Sequence, residues 1–188
     1  KDYKRGSELN TLMEARKKMT TGFIMLYSDI LFEENIMSQI LACQEDIVLI
    51  VDNTIQYHAP ESNKVQDFVI SKNKHQSTRR KINFDCENII SKIGSNLKPE
   101  TATHEFIGLA KFSKNGAEQL LQTYEDCVKN HSGTLQEAAN INQFKFTDLI
   151  QEMIDRGYVA NFLEIHKGWL EIHSTEDIKL ANHFLSNS

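Results

Sequence analysis

An acidic residue, Asp29, lies two positions after one of the most apolar stretches of this chain. Residues 23–27 are apolar without interruption, which predicts a strand buried on both faces of a sheet. Open α/β sheets bind their ligands beyond the carboxyl ends of central strands, where Ser28 and Asp29 would then lie. A carboxylate at that place can hold a Mg²⁺ ion that also contacts phosphate oxygens, or it can simply cap the turn after a strand.

A second group of polar side chains follows much later in the chain. Strand alternation places Trp169, Glu171 and His173 on one face of a predicted strand and the aliphatic residues between them on the other. The aliphatic face is expected to contact a core. The polar face can supply further ligands to an ion at Asp29, or it can be the solvated face of an edge strand.

Two further segments are candidates for binding. His104 and Glu105 precede an apolar stretch, and a carboxylate there can recognise a cationic or hydroxylated group or be a solvated loop charge. The basic residues of 72–81 can contact phosphates, although such runs are more typical of solvated loops. The chain contains neither a P-loop nor a Gly-x-Gly-x-x-Gly motif, and it has no local signature of a catalytic triad.

The elements that must position these residues mix helices with strands. Apolar periodicity predicts helices over residues 7–19, 33–43, 115–130, 135–139, 147–155 and 175–184. Apolar runs predict strands over residues 23–27, 46–51, 65–70, 88–93, 106–112, 159–165 and 169–173, the last two on either side of a turn. The strand–helix–strand order over residues 23–51 is that of a βαβ unit, which indicates an α/β fold.

Composition narrows the class of protein. A chain of 188 residues corresponds to about one domain, and its 40% hydrophobic content is ordinary for a globular protein. The net charge of −5 argues against nucleic acid or an anionic membrane as partner, and no apolar stretch is long enough for a membrane span. Cys43, Cys86 and Cys127 form no CxxC pair, which favours free thiols and a cytoplasmic location.

Five segments, taken in order, resemble a known family. They are GSELNTLMEAR (6–16), FIMLYSDILFE (23–33), DIVLIVDN (46–53), EFIGLAKFS (105–113) and GWLEIHSTEDI (168–178). The set resembles the nucleotidyltransferase domains of the sugar-phosphate and phosphocholine cytidylyltransferase type, and most of all the version fused to phosphoenolpyruvate mutase in phosphonate biosynthesis. The resemblance implies a Rossmann-like mixed sheet with helices on both faces.

The resemblance also implies a reaction. Such an enzyme uses Mg²⁺ to transfer a nucleoside monophosphate, here from CTP, to a small phosphonate or phosphate such as 2-aminoethylphosphonate, and it releases pyrophosphate. Phosphocholine and sugar 1-phosphates are rival acceptors, and a fused mutase domain is an implied partner. Glu105 matches the family position before Phe-Ile-Gly that lines the acceptor pocket, and Trp169 is expected to hold a cationic head group by cation–π contact.

The metal ligands are carried over in the same way. Asp29 matches the metal-binding Asp of the family, and Ser28 beside it is the expected nucleotide contact. Glu171 falls where many members have a second metal-binding Asp, in Trp-Leu-Asp. Another alignment, to members that read Glu-Ile-Asp-Thr-Pro-Glu-Asp, places that acid at His173. Glu171 is the preferred second ligand.

One part of the family pattern is absent from these residues. The family begins with an apolar strand and a Gly-rich basic loop that hold the triphosphate, and residues 1–188 contain neither. We therefore expect a partial nucleotidyltransferase domain whose N-terminal part lies upstream. Two other classes stay open: a degenerate, non-catalytic domain that binds a metabolite or a partner, and a glycosyltransferase, which usually carries an Asp-x-Asp pair that residues 28–31 lack.

Overall fold

The computed structural model of the chain describes residues 7–56, 65–72, 88–130 and 132–186. Apart from Lys72, the basic stretch 72–81 lies outside the described residues, and so does Cys86. Among the described residues, no helix combines the length and the apolar character needed to cross a bilayer.

The described residues form helices and strands in an irregular alternation. The helices are α1 (Glu8–Glu14), α2 (Glu34–Ala42), α3 (Lys114–Asn130), α4 (Phe146–Asp155) and α5 (Thr175–Ser186). The strands are β1 (Phe23–Leu26), β2 (Ile30–Phe32), β3 (Ile47–Asp52), β4 (Phe68–Ser71), β5 (Ile90–Gly94), β6 (His104–Phe112), β7 (Asn161–Ile165) and β8 (Trp169–Glu171). Most predicted elements are thus confirmed, with ends that differ by a few residues.

Six of the strands form one mixed sheet around β3 and β6. The strand order is β5-β4-β6-β3-β7, and β1 pairs with β6 on the edge that β4 also uses. Strands β3 and β7 are parallel, whereas β6 is antiparallel to β1, β3 and β4. The remaining strands, β2 and β8, pair with each other in an antiparallel two-stranded sheet, which we call the β2–β8 ribbon.

Strand β3 is buried along its whole length and divides the core into two layers. Leu49 and Val51 pack in a cluster with buried residues of α1, α3 and α4. Val48 and Ile50 point the other way and pack with α2 and the β2–β8 ribbon. Because successive side chains of a strand alternate, this burial pattern places helices on both faces of the sheet. The predicted α/β class, with a Rossmann-like mixed sheet, is confirmed.

Among the described strands, β1 does not lie at the centre of the sheet, where its apolar sequence predicted it. In the described part of the chain it pairs only with β6, and Leu26 at its end is 48% exposed. It runs parallel to β3, but β6 lies between them, so they are not neighbours as in a simple βαβ unit. The sequence could not reveal this arrangement. An edge strand and a central strand both pack side chains against the two core layers, and they differ only in whether one or both backbone edges pair with another strand.

One other local prediction is wrong, and two further features of the structure were not predicted. Residues 135–139 are not helical, because Leu135 and Ala138 form an isolated bridge around Gln136, which has a φ of 53°. The predicted last two strands form β7 in the main sheet and β8 in the ribbon, so they do not pair with each other. Strand β2 was not predicted, because its three residues follow the turn at Asp29 and pair only with distant β8.

Helix α3 begins in very close contact with the loop before β3. A Cβ atom built on Gly116 would lie 2.1 Å from the backbone oxygen of Asp46. That oxygen also accepts a hydrogen bond from the backbone N–H of Ser113 at 2.8 Å, and the Asp46 carboxylate accepts from the side chains of Ser113 and Asn115. Position 116 therefore has no room for a side chain.

We expect Gly116→Ala to lower the free energy of unfolding by about 2–3 kcal/mol, because overpacking at this contact outweighs the better helix propensity of alanine. Urea unfolding followed by circular dichroism measures the change. The matched control is Gln122→Ala at an exposed position of the same helix, which we expect to change stability by less than about 0.5 kcal/mol. Equal stability of Gly116→Ala and the natural chain would contradict the close approach.

Candidate functional site

Asp29 lies where the chain leaves the main sheet after β1. The backbone N–H of Tyr27 still donates to the carbonyl of Gly108 in β6, at 2.9 Å. Gly108 has a φ of +84°, and a Cβ atom there would lie 2.4 Å from the Tyr27 ring. This glycine thus lets the tyrosine ring pack directly on β6. The chain then turns through Ser28 and Asp29 into β2.

The β2–β8 ribbon brings a distant acid to the same place. Ile30, next to Asp29, pairs in register with Glu171. The backbone N–H of Ile172 donates to the carbonyl of Asp29 at 2.7 Å, which extends the pairing by one residue. This register brings the segment that carries Glu171 and His173 next to Asp29.

Asp29, Glu171 and His173 form one group, which we call the Asp29 cluster. One ligand atom from each residue lies within 4.8 Å of the others. The Nε2 atom of His173 is 2.9 Å from Oε1 of Glu171, and its Nδ1 atom is 4.0 Å from Oδ2 of Asp29. The structure therefore brings together all three residues that the sequence suggested as metal ligands, including both alternatives for the second position.

The donor atoms of the Asp29 cluster suit a divalent cation. Two carboxylates supply the oxygen ligands that Mg²⁺ and Mn²⁺ prefer, and the imidazole offers a nitrogen. The side chains are 41%, 23% and 48% exposed for Asp29, Glu171 and His173, so solvent and phosphate oxygens can complete the coordination of an ion. The donor atoms of the cluster are therefore those expected for a magnesium or manganese site.

A cleft of about 780 Å³ opens beside the Asp29 cluster. Its walls come from one face of α1, from β1 and the turn after it, and from the segments before β4 and at the start of α4. The lining residues are Glu8, Thr11, Leu12, Ala15, Ile24, Met25, Leu26, Tyr27, Ser28, Asp29, Val65, Asp67, Lys145, Phe146 and Glu171. The volume is in the range of small-molecule sites, and Ser28 is among the lining residues.

The cleft lies along an open edge of the main sheet. Strands β1 and β4 pair with different parts of the same edge of β6. Leu26 of β1 pairs with Leu109, and Phe68 of β4 pairs with Glu105. Between these pairs the chain of β1 departs and Asp67 leads into β4. In the part of the chain that the structure describes, the outer edge of β1 has no strand partner. Its free N–H and C=O groups can pair with another strand.

The cleft is acidic and partly shielded from water. Burial raises the pKa of Asp67 to about 6, with Glu8 adding to the rise and Lys145 opposing it. Burial also raises the pKa of the Tyr27 phenol, and the negative charge of Asp67 adds to that effect. Among the described residues that line the cleft, Lys145 is the one cation beside four carboxylates. A phosphate-bearing ligand would therefore need added positive charge here.

Two residues predicted to bind the acceptor do not line this cleft. Trp169 is half-buried in the core layer on the α2 side, and its indole N–H donates to Asp52 at 2.7 Å. Glu105 lies within the sheet, in register with Asp52 on one side and Phe68 on the other. Their roles in acceptor binding stay predictions. His104 is fully buried, with its Nε2 atom 2.6 Å from a carboxylate oxygen of Glu164.

Sequence reasoning missed three acids that the structure places at or near the site. Asp52 ends the most buried strand, and this is the same signal that singled out Asp29, so it could have been found. Glu8 and Asp67 could not have been found from the sequence, because they lie on segments that come near Asp29 only through tertiary packing. No local pattern marks either residue.

The raised pKa of Asp67 makes a testable contribution to stability. Its folded pKa of about 6 lies above its ordinary value of 3.8, so the folded chain binds a proton more readily than the unfolded chain. Stability from this group is therefore present below about pH 4 and is lost as the pH rises through about 6. We expect Asp67→Asn to raise the free energy of unfolding by about 1–2 kcal/mol at pH 7.5 and by almost nothing at pH 4.

Urea unfolding of both chains at the two pH values measures the difference. The control is Glu118→Gln, which removes an acid whose side chain is 65% exposed, and we expect it to show no such pH dependence. A pH-independent effect of Asp67→Asn would contradict a buried, proton-binding Asp67.

The fold can be compared with known proteins. No protein-family model matches the chain, and no curated protein matches its sequence. An inositol-1-phosphate CTP transferase from T. maritima aligns with a TM-score of 0.64 and 15% identity, over 97% of this chain and 62% of its own. A Bacillus anthracis protein assigned as a glucose-1-phosphate thymidylyltransferase aligns with a TM-score of 0.59 and 11% identity. The alignment covers 96% of this chain and 61% of that protein.

A third solved structure agrees with the first two. A nucleoside-diphosphate-sugar pyrophosphorylase from Vibrio cholerae RC9 aligns with a TM-score of 0.56 and 16% identity, over 93% of this chain and 61% of its own. Identities this low establish a shared fold and no more. The chain thus has the fold of these nucleotidyl-transferring proteins, as the sequence resemblance implied, and it spans 61–62% of their length.

Proposed function

We propose that this chain is part of a nucleotidyltransferase, which moves a nucleoside monophosphate from a nucleoside triphosphate to a small phosphate or phosphonate. The observation that carries the proposal is the Asp29 cluster at the mouth of a cleft of about 780 Å³. The names of the three solved neighbours, all of which describe transfer or pyrophosphorolysis of nucleotides, support the same reaction class.

The finer proposal is CTP as the donor and a small phosphonate such as 2-aminoethylphosphonate as the acceptor. It rests on the five sequence segments that resemble the cytidylyltransferase domain of phosphonate biosynthesis. The T. maritima neighbour is named as a CTP transferase, which favours the same nucleotide. That name gives a cyclitol phosphate as acceptor, and the other two concern sugars, so a sugar 1-phosphate or similar ester is the second candidate.

The residues of the site would divide the work as follows. Asp29 and Glu171, with His173 as a third ligand, would hold Mg²⁺, which when bound neutralises charge on the reacting phosphates. The Ser28 hydroxyl would donate a hydrogen bond to a phosphate oxygen. The β2–β8 ribbon would hold the acids in place, so that catalysis is chiefly positioning and electrostatic stabilisation.

The reaction itself needs no covalent enzyme intermediate. An oxygen of the acceptor attacks the α-phosphorus of the nucleotide, a new P–O bond forms, and the bond to the β-phosphate breaks as pyrophosphate leaves. Because the chain spans about three-fifths of its neighbours, we infer that residues outside it complete the nucleotide site. The open outer edge of β1 supports this, since an upstream strand with the expected Gly-rich loop would find a pairing partner there.

Several sequence predictions remain proposals about the whole protein. These are the fused mutase domain, the cytoplasmic location, and the acceptor contacts of Glu105 and Trp169. The non-catalytic alternative predicts a chain that binds metal or metabolite in the cleft without turnover. The glycosyltransferase alternative lacks its Asp-x-Asp pair.

Asp29→Asn tests the proposal in the full-length natural polypeptide. We expect pyrophosphate release from CTP to fall by about a hundredfold or more, because the variant loses a carboxylate ligand of the metal ion whose charge would stabilise the transition state. The assay pairs CTP, UTP, dTTP and ATP with 2-aminoethylphosphonate, phosphocholine and a sugar 1-phosphate. Glu118→Gln is the control, since it removes an acid on an exposed face of α3, and its rate should match the natural protein.

Near-normal turnover by Asp29→Asn would rule out its proposed role. Failure of every donor–acceptor pair in the natural protein, with retained binding of a divalent ion, would instead favour the non-catalytic alternative. The pair with the highest kcat/KM decides between a phosphonate and a sugar phosphate.

A further inference from the structure

The β2–β8 ribbon carries Glu171, yet it is too short to be stable alone. Each of its strands has three residues, and an isolated two-stranded ribbon is at best marginally stable in water. Asp29 is reached directly from β1 of the main sheet, whereas Glu171 depends on β8 staying in place. The contacts between β8 and the main sheet therefore determine whether the Asp29 cluster forms.

One side chain makes a directed contact of this kind. The indole N–H of Trp169, at the start of β8, donates to Oδ2 of Asp52 at 2.7 Å. Asp52 is the last residue of the central strand β3 and is only 3% exposed. Trp169 also packs against the buried cluster that includes Ile50 and Ile107 of the main sheet. The bond thus joins the ribbon to the most buried strand of the protein.

The Asp52 carboxylate is fully engaged by hydrogen bonds. Its Oδ1 atom accepts from the backbone N–H groups of Thr54 at 2.9 Å and Lys167 at 3.3 Å, and Oδ2 also accepts from the Thr54 hydroxyl at 3.0 Å. Lys167 and Gly168 both have left-handed backbones, with φ of 63° and 80°, and they form the turn that leads into β8. A buried carboxylate needs such donors, so Asp52 stabilises this turn as well as Trp169.

We propose that Asp52 is a positioning residue for the Asp29 cluster: through Trp169 and the turn at Lys167 it holds β8, and hence Glu171 and His173, beside Asp29. This inference rests on the metal site of the proposed function. Asp52 supplies no ligand atom to the cluster and acts only through β8. Because coupling between two sites is reciprocal, an ion bound at the cluster must also stabilise the Asp52–Trp169 hydrogen bond.

Trp169 makes this coupling measurable, since it is the single tryptophan of the chain. Its indole N–H gives one resolved NMR signal, and its solvent exchange reports directly on the bond to Asp52. We expect added Mg²⁺ to slow this exchange by about fivefold or more in the natural chain. The same addition should have no effect in Glu171→Gln, which lacks one of the ligands.

Metal affinity gives the second readout, with Mn²⁺ alone as the probe and electron paramagnetic resonance as the measurement. We expect Trp169→Phe, which keeps an aromatic ring and removes the N–H, to weaken Mn²⁺ binding by about tenfold, and Asp52→Asn to act similarly. The matched control is Thr54→Val, which removes another bond to the same Asp52 oxygen without touching β8. It should bind Mn²⁺ within about twofold of the natural chain.

The outcomes separate this inference from the proposed function. If the natural chain binds Mn²⁺ and both variants bind equally well, the positioning role of Asp52 is overturned and the metal site stands. If the natural chain does not bind Mn²⁺, the metal site of the proposed function fails and the positioning role fails with it. Thermal unfolding identifies variants that do not fold, and if Asp52→Asn is one, Trp169→Phe and the exchange measurement decide.

Discussion

The backbone pairing of β2 with β8 is the interaction on which the candidate site depends. It places two carboxylates, Asp29 and Glu171, side by side although they come from opposite parts of the chain. Like charges at this distance repel, so side-chain attraction cannot hold them together without a cation or a donor nearby. The backbone hydrogen bonds of the ribbon, together with the contact of β8 with β3, hold the two carboxylates close to each other despite their repulsion.

The charge of the cleft follows from the same arrangement. Its lining contains Glu8 and Asp67 in addition to Asp29 and Glu171, with Lys145 beside them. Burial already raises the pKa of Asp67 to about 6, which shows how poorly this region accommodates negative charge. A phosphate ligand would enter such a space only with compensating positive charge. Under the proposed function, a divalent cation at the Asp29 cluster would supply that positive charge.

In the described part of the sheet, the Asp29 cluster lies at an edge rather than at the centre. Strand β3 is buried on both faces and ends at Asp52, whose carboxylate is used for internal hydrogen bonds. Strand β1 lies at the margin, so the acid that follows it can face solvent and ligand. Two acids at the ends of parallel strands thus take different roles, because one strand end is covered by the β2–β8 ribbon and the other borders the cleft.

The sequence by itself determined the elements whose signal is local: the periodic helix α3, the apolar strands β3 and β6, and the acid that follows β1. Through resemblance it also indicated Glu171 and His173, which the structure brings to Asp29. Only the tertiary structure decided that β1 pairs with β6 and not with β3, that β2 exists, that Asp67 enters the cleft, and that Trp169 bonds to Asp52. Each of these depends on a partner far away in sequence, and side-chain periodicity carries no information about which backbone edge or buried carboxylate will be that partner.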